Sequence, residues 1–230
     1  MLRRPTGCVL GFRLALLLLI FLHSPKEAEA QSNTLPPLRD TQVWTDFSAV
    51  HSLRDKTDIF VEGGLRWGRN ATGFIYERLG GGVAFTPRKY LTLGPRYSIV
   101  ETEPTATQEL GENRLGLEST FTASLRRWTI SDRNVIERRF RQPRDSTRYR
   151  NRLRLERAFR FSRASWYAFV SDELYHDNAY HEWNRNRFQV GGGESPSPRW
   201  SVEVYYVRQK DYASRPNDLN SLGLMLRTRF

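Results

Sequence analysis

Between residues 148 and 161 the chain alternates between charged and apolar side chains. Arg148, Arg150, Arg152, Arg154, Glu156, Ala158 and Arg160 take one set of alternate positions; Tyr149, Asn151, Leu153, Leu155, Arg157, Phe159 and Phe161 take the other. Guanidinium groups present paired N–H donors that match carboxylates and phosphates. The same residue types recur in Arg66, Arg114, Arg133, Arg139, Arg185, Arg187, Arg227 and Arg229, and acids recur in Glu62, Glu118, Glu137, Glu173 and Glu203. Two uses of this set stand open. Arginines and glutamates can pair with one another as a structural network, or the surplus of arginine can line a water-filled path that selects anions.

Residues able to catalyse are fewer. His51, His176 and His181 are the histidines beyond residue 30; His51 lies near a short turn, on the wrong side for outer-leaflet chemistry, whereas His176 and His181 lie where Glu182 or Ser171 could assist. A hydrolase or acyltransferase needs a nucleophile beside a base, and histidines flanking the polar stretch Asp177-Asn-Ala-Tyr180 serve equally well as solvated loop residues. His176, Asp177 and His181 match no standard metal spacing. Gly80-Gly-Gly82 and Gly191-Gly-Gly193 are not phosphate loops, because no helix follows them; they let a strand bend or leave room for long side chains opposite. No catalytic residue, metal or cofactor is assigned.

The elements that position these residues are strands. Successive strand side chains point to opposite faces, so alternation at a period of two gives one charged face and one apolar face. Eleven segments carry the pattern, at about 41–53, 57–68, 74–86, 90–101, 113–125, 128–140, 148–161, 165–176, 184–194, 199–211 and 219–230. Short connections at 54–56, 87–89, 126–127, 162–164 and 194–198 alternate with longer ones at 69–73, 102–112, 141–147, 177–183 and 212–218. Transmembrane β-barrels combine short periplasmic turns with longer outer loops, an apolar outer face and a polar lumen. An arginine on the lipid face at mid-depth costs ~2–4 kcal/mol, so the arginine face is the lumen. The expected fold is therefore all-β, a single closed antiparallel transmembrane barrel of 10–12 strands. An even count is the rule; twelve is favoured, with Gln31–Asp40 as the extra strand, although Pro36-Pro37 cannot donate ladder hydrogen bonds. Aromatics fall at the segment ends: Phe85, Trp128, Phe161, Trp166, Trp200 and Phe230 toward the periplasmic end, Trp67, Phe140 and Tyr149 toward the outer end.

Both ends of the chain point the same way. Arg3 and Arg4 precede the apolar run Leu14–Leu22, and Ala28-Glu-Ala30 fits a signal-peptidase site. Residues 1–30 thus read as a signal peptide and 31–230 as the barrel. The single cysteine, Cys8, leaves with the signal, so no internal disulfide or thiolate metal site is available. The chain carries a net +11; Arg3, Arg4, Arg13 and Lys26 against Glu27 and Glu29 make the signal +2, leaving +9. For an exported protein that charge points to lipopolysaccharide phosphates and anionic solutes rather than nucleic acid. At the other end Leu222, Leu224, Leu226, Thr228 and Phe230 share an apolar face, with Gly223, Met225, Arg227 and Arg229 opposite. The terminal aromatic resembles the C-terminal signal by which bacterial outer-membrane barrels engage their assembly machinery.

A family resemblance rests on Val43-Trp44, the Arg/Glu-rich stretch Arg133–Arg160 and Asp172-Glu173-Leu-Tyr175. It continues through Asn184-Arg-Asn-Arg187 into Gly191-Gly-Gly193 and then Val204-Tyr-Tyr-Val-Arg-Gln209. In the order of these features the chain resembles a family of bacterial outer-membrane proteins known only as a domain of unknown function. The resemblance implies a barrel in the outer membrane and no established activity. The arginine-lined interior is also similar to that of narrow porins for acidic oligosaccharides.

Overall fold

The computed structural model describes residues 36–230 apart from 106, 162 and 163. The leader assigned to 1–30 lies outside them. Every element among the described residues is a strand: β1 (Arg39–Arg54), β2 (Thr57–Gly68), β3 (Gly73–Arg88), β4 (Leu91–Thr105), β5 (Gln108–Leu125), β6 (Trp128–Arg141), β7 (Ser146–Phe161), β8 (Ala164–Asp177), β9 (Glu182–Ser197), β10 (Trp200–Asp211) and β11 (Asp218–Arg229). Each pairs antiparallel with its sequence neighbour, as two-residue hairpins such as Leu125↔Trp128 allow.

The ladder closes with eleven strands rather than twelve, because β1 and β11 pair in parallel from Arg39↔Asp218 to Val50↔Arg229. Phe230 finishes the seam: its N–H donates to the Val50 carbonyl at 2.9 Å. Of the segment expected as a twelfth strand, Arg39 and Asp40 open β1, residues 36–38 lie in no strand, and 31–35 are outside the described residues. The connections also correct one expectation. Residues 102–112 are not a long loop; β4 and β5 continue as a hairpin to Thr105↔Gln108. The connections 55–56, 89–90, 126–127 and 198–199 share one rim, and 69–72, 142–145, 178–181 and 212–217 share the other.

Alternation sorts the two faces. Trp44, Val100, Val135, Phe169, Tyr175, Tyr205, Val207 and Leu219 point inward and are buried, while Val61, Leu79, Ile99, Leu117, Ile136, Leu153, Val190, Val204 and Leu222 point outward and are exposed. Inside, Trp44, Phe169, Tyr205, Val207 and Leu219 pack together against Tyr167 and Met225. The cross-strand pair Tyr205↔Gly223 depends on the glycine, since a Cβ there would collide with the Tyr205 ring.

Candidate functional site

The interior is a set of ion pairs laid between aromatic rings. Across the middle of the lumen Arg96 bridges two acids, pairing with Glu62 and, at 2.5 Å, with Glu118. Glu118 also takes Arg133 at 2.7 Å, and Arg133 reaches Glu173 at 3.7 Å. Glu173 continues to Arg187 at 3.7 Å and accepts the Tyr175 hydroxyl at 2.6 Å. One chain of charges therefore runs from β2 to β9 through β4, β5, β6 and β8. Opposite-charge pairs cross the strands too: Glu137 pairs with Arg148, its partner in the β6–β7 register, and lies 3.7 Å from Arg150.

Toward the short-turn rim Glu203 collects Arg154 at 2.8 Å, Arg227 at 2.5 Å and the Tyr167 hydroxyl at 3.0 Å. Arg154 also reaches Glu156 at 2.9 Å and lies over the Phe169 ring at 3.6 Å. At that rim Arg229 donates to Asp58 at 2.8 Å and to Ser52 at 3.0 Å. Toward the long-loop rim Glu112 holds Arg114 at 2.7 Å and Arg139 at 2.5 Å. Asp177 takes the other side of Arg139 at 2.6 Å, and Asp211 takes Arg185 at 2.6 Å.

Three inward guanidiniums have no acid within ion-pair distance among the described residues: Arg66, Arg141 and Arg152. Arg66 lies between the Trp44 and Tyr76 rings, 4.0 and 4.1 Å from their centroids, where ring faces supply the counter-field. Trp44 is held in turn by a side-chain relay along β1, with its indole N–H on Gln42 at 2.8 Å and Gln42 on Asp40 at 2.8 Å. Arg187 approaches the Trp44 and Tyr175 rings at 4.8 and 5.3 Å. Trp44 and Tyr175, each 2% exposed, are among the largest fully buried side chains, so rings as well as charges fill the interior.

Apart from Arg160, whose side chain is not among those described, the Arg and Glu residues placed on the charged face from the sequence lie at inward positions, and each except Arg66 and Arg152 has an oppositely charged side chain within 4 Å. Sequence reasoning missed Arg78 and Arg96, Trp44 as an interior ring, and the acids Asp40, Asp46, Glu112, Asp177 and Asp211. His176, by contrast, stacks edge-on against Trp183 at 5.6 Å, and no histidine side chain makes a hydrogen bond among the described residues.

Fold and interior together define an up-and-down β-barrel closed on itself, apolar outside and filled with paired charge inside. Within that class the chain belongs to the family described as "Protein of unknown function (DUF2490)", whose model matches residues 41–220. Among solved structures it is similar to LpxR from Salmonella typhimurium, at 11% identity and a TM-score of 0.49, over 76% of this chain and 83% of that one. Among curated proteins none matches.

Proposed function

We propose that the protein is an integral outer-membrane barrel, exported by the leader at 1–30, whose lumen is closed by its own ion pairs and rings and which performs no catalysis. The observation that carries this reading is the exposed apolar side chains on the outward face of every strand, a continuous arrangement that monomeric soluble proteins rarely present to water. The twelve residue steps from Trp128 to Phe140 cover about 31 Å at ~3.4 Å per residue and ~40° of tilt, which suits an apolar band ~25 Å tall with ring girdles at both edges. Several polar groups on that face pair with one another: Asn151 donates to Asp132 at 2.6 Å and to Asn134 at 3.0 Å, and Asn186 donates to Asp172 at 2.8 Å. Phe230, seated in the seam, is the natural handle for the assembly machinery. Lipid and lipopolysaccharide are the surrounding partners.

Closure is supported by Trp44 and Tyr175 in the middle of the lumen and by the acids that neutralise most inward arginines. An open anion path would need those arginines to face water. Planar-bilayer recording of the refolded protein is expected to give no channel steps, and Trp44→Ala with Tyr175→Ala is expected to open an anion-preferring conductance. Steady anion-selective conductance from the unaltered protein would overturn the closed reading in favour of a narrow pore for anionic solutes.

A further inference from the structure

At the long-loop rim the interior widens into a cavity of about 70 Å³. Arg139 and Arg141 from the end of β6, Arg148 from β7 and Arg185 from β9 line it, together with Tyr180 and Asn184. The acids that hold three of these guanidiniums lie behind them. Glu112 and Asp177 grip Arg139, Glu137 grips Arg148 and Asp211 grips Arg185, and none of these four acids lines the cavity. Asp211 is itself fixed by the backbone N–H of Ala213 and Ser214 and by the Ser214 hydroxyl, at 3.1, 3.0 and 2.8 Å. The walls are thus pre-set, cationic toward the cavity and anchored from outside it.

Two polar atoms at this cavity are left without partners. Arg141 has no acid partner; its Nη2 reaches only the Ser146 hydroxyl, at 3.5 Å, and its Nε is buried with no hydrogen bond. Asn184 is 6% exposed, yet its Oδ1 also lacks a partner. Buried polar groups are nearly always hydrogen-bonded, and an unmet one costs ~1–3 kcal/mol. An unmet guanidinium N–H and an unmet carbonyl oxygen on residues that line one cavity are matched by a ligand that accepts from one and donates to the other.

We propose that this cavity binds a single phosphate-sized oxyanion, best fitted by hydrogen phosphate. Its charged oxygens would accept from Arg141, Arg185 and Arg148, and its P–OH would donate to Asn184 Oδ1. Sulfate matches the size and charge but carries no proton to donate at neutral pH. The site is independent of whether the lumen below it conducts.

The test is calorimetric titration of the full-length mature barrel, folded in detergent, with inorganic phosphate at fixed ionic strength. Saturable one-to-one binding is expected, with sulfate weaker. Arg141→Ser, which strips no acid of its partner, should weaken phosphate binding by at least about tenfold, because a charge-assisted hydrogen bond is lost. Asn184→Leu, similar in size but without the acceptor, should weaken phosphate binding and erase its advantage over sulfate. Folding of each variant is followed by the shift of its unboiled band in a denaturing gel, and the second variant decides if the first does not fold. No saturable phosphate binding, equal affinity for sulfate, or binding indifferent to both substitutions would overturn the proposal.

Discussion

Replacing Glu137 by Leu is expected to remove about 3–5 kcal/mol of stability, the usual cost of breaking a buried pair by deleting one member. Glu137 is buried on the inward face of β6, and Arg148 and Arg150, buried with it, would be left with no acid in its place. Arg150 has little reserve, since its Nε already lacks a partner. The loss should appear as a lower midpoint in urea unfolding of the protein folded into vesicles, with an unchanged slope if compactness is kept. Substituting Met for both arginines in the Glu137→Leu background should restore most of the loss, because well-packed apolar side chains often match or exceed a buried ion pair. A loss below about 1 kcal/mol for the single change would show that water, rather than Glu137, neutralises these arginines.

The second large effect is expected on the outer face. Leu117 is 67% exposed and lies between Pro95 and Ile136, near mid-height. In a lipid-facing wall Leu117→Arg should cost ~2–4 kcal/mol, whereas the same change at Leu125, 75% exposed beside the short turn, should cost only ~0–1 kcal/mol. In a barrel bathed by water both would fall within about ±0.5 kcal/mol, as surface substitutions do. Urea unfolding of the two variants in vesicles separates the cases: equal, small effects would refute the membrane reading.

The strands were legible because one rule, alternation at a period of two, governs a wall with one wet or charged face and one apolar face. Arg148–Glu156 and Leu222–Phe230 show it at full strength, and the faces they define are the faces in the structure. The count was not legible. The Val43↔Leu222 pairing that closes the ladder joins residues far apart in sequence, in the parallel sense, and nothing local announces it. Arg78 and Arg96 were missed because Gly80-Gly-Gly82 and Gly94-Pro95 interrupt the pattern beside them. Asp177 and Asp211 were missed because they sit where strand passes into loop and the period ends. The partners were also out of reach: that Glu62 meets Glu118 through Arg96 depends on how the closed cylinder brings β2, β4 and β5 around a common axis.

The parallel seam has a consequence for sidedness. β1 and β11 run in the same direction, so the chain passes between the rims an odd number of times. Pro36 thus stands at the long-loop rim, where Arg215 reaches its carbonyl at 3.3 Å, and Phe230 stands at the short-turn rim. In an even-numbered barrel both ends of the polypeptide face one compartment, and every strand inserts as half of a hairpin. Here Pro36 and Phe230 stand at opposite rims, and β1 meets its last neighbour through slanted, evenly spaced bonds that hold slightly less firmly per residue than antiparallel ones. The seam is therefore the joint of the ladder whose two strands no turn connects.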